Sequence, residues 1–332
     1  VGEFDLIERY FKRPVSRAVL GVGDDCALLQ PSPGTQLAIS CDMLVEGRHF
    51  LSTIDPFKLG HKALAVNLSD LAACGARPLA FTLALALPRA DDAWLAPFSQ
   101  GLLVLADAHG CELIGGDTTQ GPLNICITVF GEVPVVNGRS QALLRSGAQA
   151  GDDLYVSGTV GDARLALEVF RGTVSLPAPV FEAARLRLEQ PSPRVALGLA
   201  LRGIATAAID VSDGLLGDLG HILKQSGIGA TVDTEVAINL IASYAEYTGA
   251  RGQFNTEIKA EQWLGWALAG GDDYELLFTA PAAARTLVAA AADISQTPVT
   301  RIGHIGLEHG LRLVDGDGQY VPNTYSSFDH FA

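Results

Sequence analysis

The sequence predicts a two-domain protein of mixed α and β structure. Three observations carry this. The chain has 332 residues, long for a single core. It is 48% hydrophobic, yet no run of about 18 uninterrupted apolar residues is present to span a bilayer. Strand-like and helix-like stretches mix without strict βαβ alternation, which favours α+β over a doubly wound parallel sheet.

Taken in order, Phe4, Ile7 and Phe11 have helical spacing and predict a short opening helix. Cys26–Leu29 and Gln36–Ser40 read as strands around the turn Pro31-Ser32-Pro33-Gly34, the second ending at Asp42. Asp55-Pro56 is a helix start, an N-cap acid before a first-turn proline. That helix should run to about Cys74, where Gly75 and Pro78 stop it. It is apolar on nearly every face and therefore buried, with Asn67 and Asp70 neighbours three residues apart. Leu79–Leu87 reads as a strand, Asp91 to Gly110 as a helix, and Cys111–Ile114 as a short strand entering a Gly115-Gly116 turn. Asn124–Val133 is the next strand. Residues 137–150 are polar, and the domain boundary is placed near 150, giving domains 1–150 and 151–332.

The second half opens with a strand at Asp153–Ser157. Helical stretches follow at about 162–171, 180–189 and 194–202. Thr206–Val211 reads as a strand, with Ser212 capping a helix from Asp213 to Ser226. Glu257–Leu268 carries Trp263 and Trp266. Tyr274–Thr279, Val299–Gly306 and Leu311–Val314 read as strands, and Pro281 starts an alanine-rich helix. The tail from Tyr325 is aromatic.

Net charge is −14, which argues against nonspecific binding to nucleic acid or an anionic membrane. The five cysteines are odd in number, lie in the first half and form no C-x-x-C, so neither a disulfide framework nor a zinc site is expected. The same cysteine pattern leads to the expectation of a cytoplasmic location, and residues 1–5 are acidic and lack a signal-peptide pattern.

The acids are distributed tellingly. Gly21–Ala27 reads G-V-G-D-D-C-A and sets Asp24 beside Asp25. Two carboxylates about 4 Å apart repel by roughly 4 kcal/mol at a surface-like dielectric. Such a pair stays in water or holds a cation. Asp42, Asp70, Asp117, Asp210, Asp213, Asp272 and Asp273 recur after apolar runs or glycines, which suggests a shared metal site. Carboxylates, waters and substrate phosphates are the usual ligands of Mg²⁺. Gly115-Gly116 would let main-chain amides approach a phosphate, Ser212 offers a hydroxyl and amides, and Arg145 offers a bidentate guanidinium. The P-loop, the dinucleotide fingerprint and the protein-kinase motifs are absent.

These motifs resemble the thiamine-monophosphate kinase family, within the aminoimidazole-ribonucleotide synthetase-like superfamily. The similarity runs almost end to end: G-E-F-D-L-I at 2–7, G-V-G-D-D-C-A at 21–27, H-K-A-L-A-V-N-L-S-D-L-A-A at 61–73, L-I-G-G-D-T-T at 113–119, L-L-R-S-G-A at 143–148, I-D-V-S-D-G-L at 209–215, G-G-D-D-Y-E-L at 270–276 and F-D-H-F at 328–331. The resemblance implies an ATP-dependent enzyme converting thiamine phosphate to thiamine diphosphate with several Mg²⁺ ions. It implies an N-terminal mixed sheet that joins its copy across a homodimer, and a C-terminal α/β sandwich completing the cleft. By position it implies metal ligands at Asp25, Ser40, Cys41, Asp42, Asp70, Asp117, Asp210 and Asp213. ATP contacts are implied at Gly116, Asp117, Arg145 and Ser212, and substrate contacts at His49, Asp272 and Phe328.

Three of these depart from the family pattern. Cys41 replaces a frequent Thr, Asp272 a commoner Glu, and Phe328 a commoner Tyr or Trp. The sibling selenophosphate synthetases normally use a reactive Cys in a glycine-rich N-terminal segment, and residues 1–20 hold none. A noncatalytic Mg-nucleotide-binding module and a metal-dependent phosphohydrolase are the other classes considered. An acceptor phosphate is largely ionised at pH 7 and needs no strong base, so direct transfer without a phosphoenzyme is expected.

Overall fold

The computed structural model describes residues 2–249 and 258–328. The chain forms two compact units, Val1–Leu71 with Ala76–Ala142, and Ala72–Gly75 with Leu143–Ala332.

The first unit runs α1 (Glu3–Tyr10), β1 (Ala18–Leu20), β2 (Leu28–Leu29), β3 (Thr35–Val45), α2 (Pro56–Ala73), β4 (Arg77–Leu87), α3 (Asp92–Ala108), β5 (Glu112–Gln120), β6 (Asn124–Val136) and β7 (Arg139–Ser140). Its mixed sheet has the order β3-β6-β4-β5, with β7 on β6. Only the β4/β5 pair of that path is parallel, and α3 connects those two strands. Asp55 Oδ1 accepts from the Phe57 and Lys58 amides and starts α2, as its sequence predicts. Asp91 caps α3 by accepting from Ala93 N. Ile125, Ile127 and Val129 of β6 alternate into the core, while Ile39 and Met43 of the edge strand β3 are exposed.

Two strands extend beyond their apolar runs. β3 does not end at Asp42, because its pairing with β6 continues to Val45 opposite Asn124. β5 does not turn at Gly115-Gly116. Both glycines pair with β4, opposite Thr82 and Leu83, after a bulge at Ile114, and the strand carries Asp117 inside it.

The second unit runs β8 (Asp152–Ser157), α4 (Asp162–Phe170), α5 (Ala178–Glu189), α6 (Val195–Ala200), β9 (Ala207–Asp210), α7 (Leu215–Ser226), β10 (Gly229–Asp233), α8 (Thr234–Ile238), α9 (Ala242–Gly249), α10 (Ala260–Ala269), β11 (Leu276–Pro281), α11 (Arg285–Ser295), β12 (Val299–Gly306), β13 (Gly310–Val314) and β14 (Tyr320–Val321). The sheet order is β14-β13-β10-β12-β8-β11-β9. Its core gathers Leu154, Val156, Ile209, Leu219, Ile222, Val232 and Leu277. Sequence patterning missed β10, α8 and α9. The first is a five-residue strand of small and β-branched residues, buried between β12 and β13. Glu257, the start of the stretch that carries Trp263 and Trp266, lies outside the described residues.

The boundary expected near 150 falls at 142. Leu143 N donates to Cys74 O, Ala208 N to Leu144 O, and the Gly147 and Ala148 amides to Ser226 Oγ. Residues 143–150 are therefore tied to the second unit by their main chain, which polar composition does not reveal.

Asp153, 4% exposed at the side chain, accepts from Arg285 Nε at 2.6 Å and Nη2 at 2.9 Å, and from Arg301 Nη1 at 3.1 Å. The bidentate Arg285 contact, with Arg301 helping, outweighs burial and holds this carboxyl at about 2, below its usual 3.8. The stability it confers is present above 3.8 and lost as pH falls through about 2. Both arginines are more than half exposed, so the full shift is discounted for solvent screening, to about 1–2 kcal/mol. Asp153→Asn should lower the urea midpoint at pH 7, and its gap from the parent should close between pH 4 and pH 2.

Candidate active site

An acidic cleft of the first unit lies between α1, the turn at residues 22–25 and the β4/β5 pair. Its volume is about 570 Å³. Asp24, Asp25, Gly115, Gly116 and Asp117 line one side and Phe4, Ile7 and Phe11 the other. The structure thus brings together Asp25 and Asp117, far apart in sequence. Gly116 is what permits this: its φ is +145°, and a Cβ there would lie 1.9 Å from Leu83 O. Gly115 has no such constraint, with only Thr82 Cγ2 at 3.9 Å.

A second group sits where β3 meets α2. Ser40 Oγ donates to Asp70 Oδ2 at 2.5 Å. Asp42 N donates to Asn67 Oδ1 at 3.0 Å, and Asn67 Nδ2 donates to Ala63 O, so the buried amide is satisfied on both sides. These residues do not line the cleft of Asp25 and Asp117. Cys41, between Ser40 and Asp42, points to the opposite side of the strand. Its Sγ lies 3.5 Å from Cys126 Sγ. The Cys41 side chain is thus not part of this oxygen-donor group. His49 closes the turn after β3, with Nδ1 accepting from Val45 N and its own N–H donating to Val45 O. That contact puts the ring proton on Nε2.

The third group is in the second unit. Asp210 ends β9 and is buried. Asp272 N donates to Ser212 O, Tyr274 N to Val211 O and Phe328 N to Asp213 O. Ser212, Asp213, Asp272 and Phe328 are therefore brought together, and Tyr274 OH adds a 3.2 Å bond to Asp272 Oδ1. The expected Ser212 cap is corrected. The helix starts at Leu215 after Gly214, and the amides of Ser212, Asp213 and Gly214 converge on Asp218 Oδ2 at 3.0–3.2 Å. An acid one turn into the helix takes the donors that the sequence offered to an anion. Burial pushes the Asp218 carboxyl up to about 7, with the Asp213 charge adding and the three amides opposing.

Arg145 stands apart from that group. Its carbonyl accepts from Ser226 Oγ at the C-terminal end of α7, whereas Ser212 lies before the N-terminal end. Twelve helical residues separate those ends by about 18 Å. Among the described residues, no three His, Cys, Asp or Glu side chains are gathered closely enough to hold a metal. The donor chemistry nevertheless suits a hard cation, since Asp25, Ser40, Asp42, Asp70, Asp117, Asp210 and Asp213 all offer oxygen.

Sequence reasoning missed the apolar wall of the cleft. Phe4, Ile7 and Phe11 read only as the apolar residues of a short opening helix, yet all three line the cleft, and Phe4 is 81% exposed.

The model for the N-terminal domain of AIR synthase related proteins matches residues 23–133. Thiamine-monophosphate kinase of Escherichia coli K12 is 45% identical over 337 aligned residues, covering 100% of this chain and 98% of that protein. The chain belongs to the thiamine-monophosphate kinase family. A crystal structure of the Stenotrophomonas maltophilia K279a member superposes with a TM-score of 0.82 at 44% identity, covering 96% of each chain. AaThiL complexed with AMPPCP and TMP superposes with a TM-score of 0.74 at 28% identity, covering 91% of this chain and 89% of that one. Family membership therefore extends over both units.

The two glycines before Asp117 give a direct test of the cleft. Gly116→Ala should lower Tm by several degrees and weaken ATP binding about tenfold or more, because the new methyl pushes β5 off β4. Gly115→Ala should leave both near the parent values. Calorimetry and nucleotide titration of the pair check this.

Proposed function

We propose that this protein transfers the γ-phosphoryl group of ATP directly to thiamine phosphate, giving thiamine diphosphate. The observation that carries the reading is 45% identity to a thiamine-monophosphate kinase across the whole chain. ATP as co-substrate is supported by the AMPPCP bound in the related AaThiL structure, and the acceptor by the TMP bound there.

The residues have distinct tasks in this reading. Asp25, Ser40, Asp42, Asp70 and Asp117 of the first unit and Asp210 and Asp213 of the second supply oxygen ligands for magnesium. Bound magnesium would relieve the repulsion between acceptor and donor phosphates. Gly116 and Asp117 hold the nucleotide beside the α1 wall, where Phe4 and Ile7 exclude water. Arg145 and Ser212 contribute further ATP contacts. His49, Asp272 and Phe328 position the acceptor, with His49 offering Nε2–H as a donor. No general base is assigned, because the attacking phosphate oxygen is already ionised near pH 7.

The open face of the first unit's sheet is where we place the homodimer contact. Leu37, Ile39 and Met43 of the edge strand β3 are 44%, 60% and 53% exposed, a contiguous apolar stripe that a second copy would cover. The cytoplasm, which holds the ATP, is the proposed compartment. No helix among the described residues is long and apolar enough to cross a membrane.

The test is to incubate the purified protein with ATP, Mg²⁺ and thiamine phosphate and resolve thiamine species by chromatography. Thiamine diphosphate should form from the monophosphate, not from free thiamine, and EDTA should abolish it. Asp117→Asn and Asp210→Asn should each lose about 100-fold or more in kcat with Tm nearly unchanged. Free phosphate without diphosphate, or full activity in both variants, would overturn the assignment.

A further inference from the structure

The turn that carries Asp272 is held from beneath by a buried polar cluster to which the proposed reaction assigns no task. Its backbone is unusual. Gly271, Asp272 and Tyr274 have φ of 73°, 61° and 52°, so two non-glycine residues flanking Asp273 lie in the left-handed region. Side chains there are unfavourable unless the surroundings enforce the conformation. Asp273 is the residue between them, and it is 1% exposed.

Its carboxyl reaches inward to another element. Gly161 N, at the start of α4, donates to Asp273 Oδ1 at 2.8 Å. Gly161 has φ +93°, and a Cβ there would come within 2.9 Å of Ile241 Cγ1, so the approach is close on both sides. Arg187 Nη2 donates to the Asp273 carbonyl at 3.1 Å and to Glu275 Oε1 at 2.7 Å. Glu275, with no exposed surface, also takes a two-point contact from Arg194 and a 2.6 Å bond from Ser157 Oγ. Room for that carboxylate comes from Gly158, where a Cβ would sit 2.2 Å from Glu275 Oε1. Asp273 Oδ2 and Arg187 Nε are buried without a hydrogen-bond partner. A structure optimised only for stability rarely retains two such atoms.

We propose that Asp273 is a positioning residue: bound to Gly161 N and braced by the Arg187–Glu275–Arg194 cluster, it fixes the left-handed turn that holds Asp272 beside Ser212 and Asp213. The inference rests on the reading of Asp272 as an acceptor contact. Losing the carboxyl lets the turn relax toward ordinary φ values, which moves Asp272 and leaves the cleft of Asp25 and Asp117 untouched. Acceptor affinity should therefore fall without a matching change in nucleotide affinity.

Asp273→Ala and Asp273→Asn are compared with the parent by steady-state kinetics, varying thiamine phosphate and ATP separately, and by amide hydrogen exchange. Asp273→Ala should raise KM for thiamine phosphate about tenfold or more, with KM for ATP within about twofold. Asp273→Asn keeps an oxygen that can accept from Gly161 N, and should recover most of that loss. Exchange in residues 270–276 should quicken about tenfold in the Ala variant and stay near parent rates elsewhere in the second unit, residues 210–214 included. Equal rises in both KM values, a loss of Tm with both KM values unchanged, or parent-like exchange in that turn would each overturn the proposal. Should the parent turn over no thiamine phosphate, the assigned function fails by itself, and the exchange comparison still decides whether Asp273 fixes the turn.

Discussion

A carboxylate that leaves water needs a partner, and this chain treats its acids in two ways. Glu132 is held by Arg77, Arg17 and the Ser32 amide and hydroxyl, Asp153 by Arg285 and Arg301, and Glu275 by Arg187 and Arg194. Asp162 takes the Ala242 and Ser243 amides together with the Ser243 hydroxyl. These acids are structural, each joining segments distant in sequence. Among the described residues, no lysine or arginine pairs with Asp25, Asp117 or Asp213. An acidic protein that must bring two phosphate anions together cannot neutralise those acids with its own cations. In the proposed reading they stay available to cations that arrive with the substrate.

That division is only half visible in the sequence. Acids in or beside glycine turns, at Asp24-Asp25, Asp117, Asp213 and Asp272, are conspicuous, and the resemblance they support extends over both units. Nothing local separates them from Asp153 or Glu275, whose arginines lie far along the chain. Helix starts were legible because their determinants are local: Asp55 and Asp91 cap α2 and α3 from neighbouring positions. Strand ends were not. Gly115-Gly116 has turn composition, but Thr82 and Leu83 pair with it and keep it in the sheet. Ser212 has cap composition, yet Asp218 reaches the same amides first. In each case a long-range or competing partner overrode a local preference, and single-sequence patterning carries no term for that.

The turn that carries Asp272, the proposed acceptor side, shows why main-chain bonding matters more than side-chain bonding there. β9 is a four-residue strand at the end of the sheet order, paired with β11. Asp210 lies opposite Leu276, the last pair of that ladder. The two segments remain joined by the Glu275–Val211, Tyr274–Val211 and Asp272–Ser212 main-chain bonds. With the joining done by amides and carbonyls, the Asp213 and Asp272 side chains stay half-exposed at the turn. The same arrangement explains the need for a brace. The turn before β11 holds two left-handed non-glycine residues, Asp272 and Tyr274, each costing of order 1–3 kcal/mol. That strain is offset from below, where Glu275 and Asp273 anchor the turn to the start of α4 and to α5. The exposed acids are thus held in position by the buried ones, and the two classes of carboxylate work on the same turn.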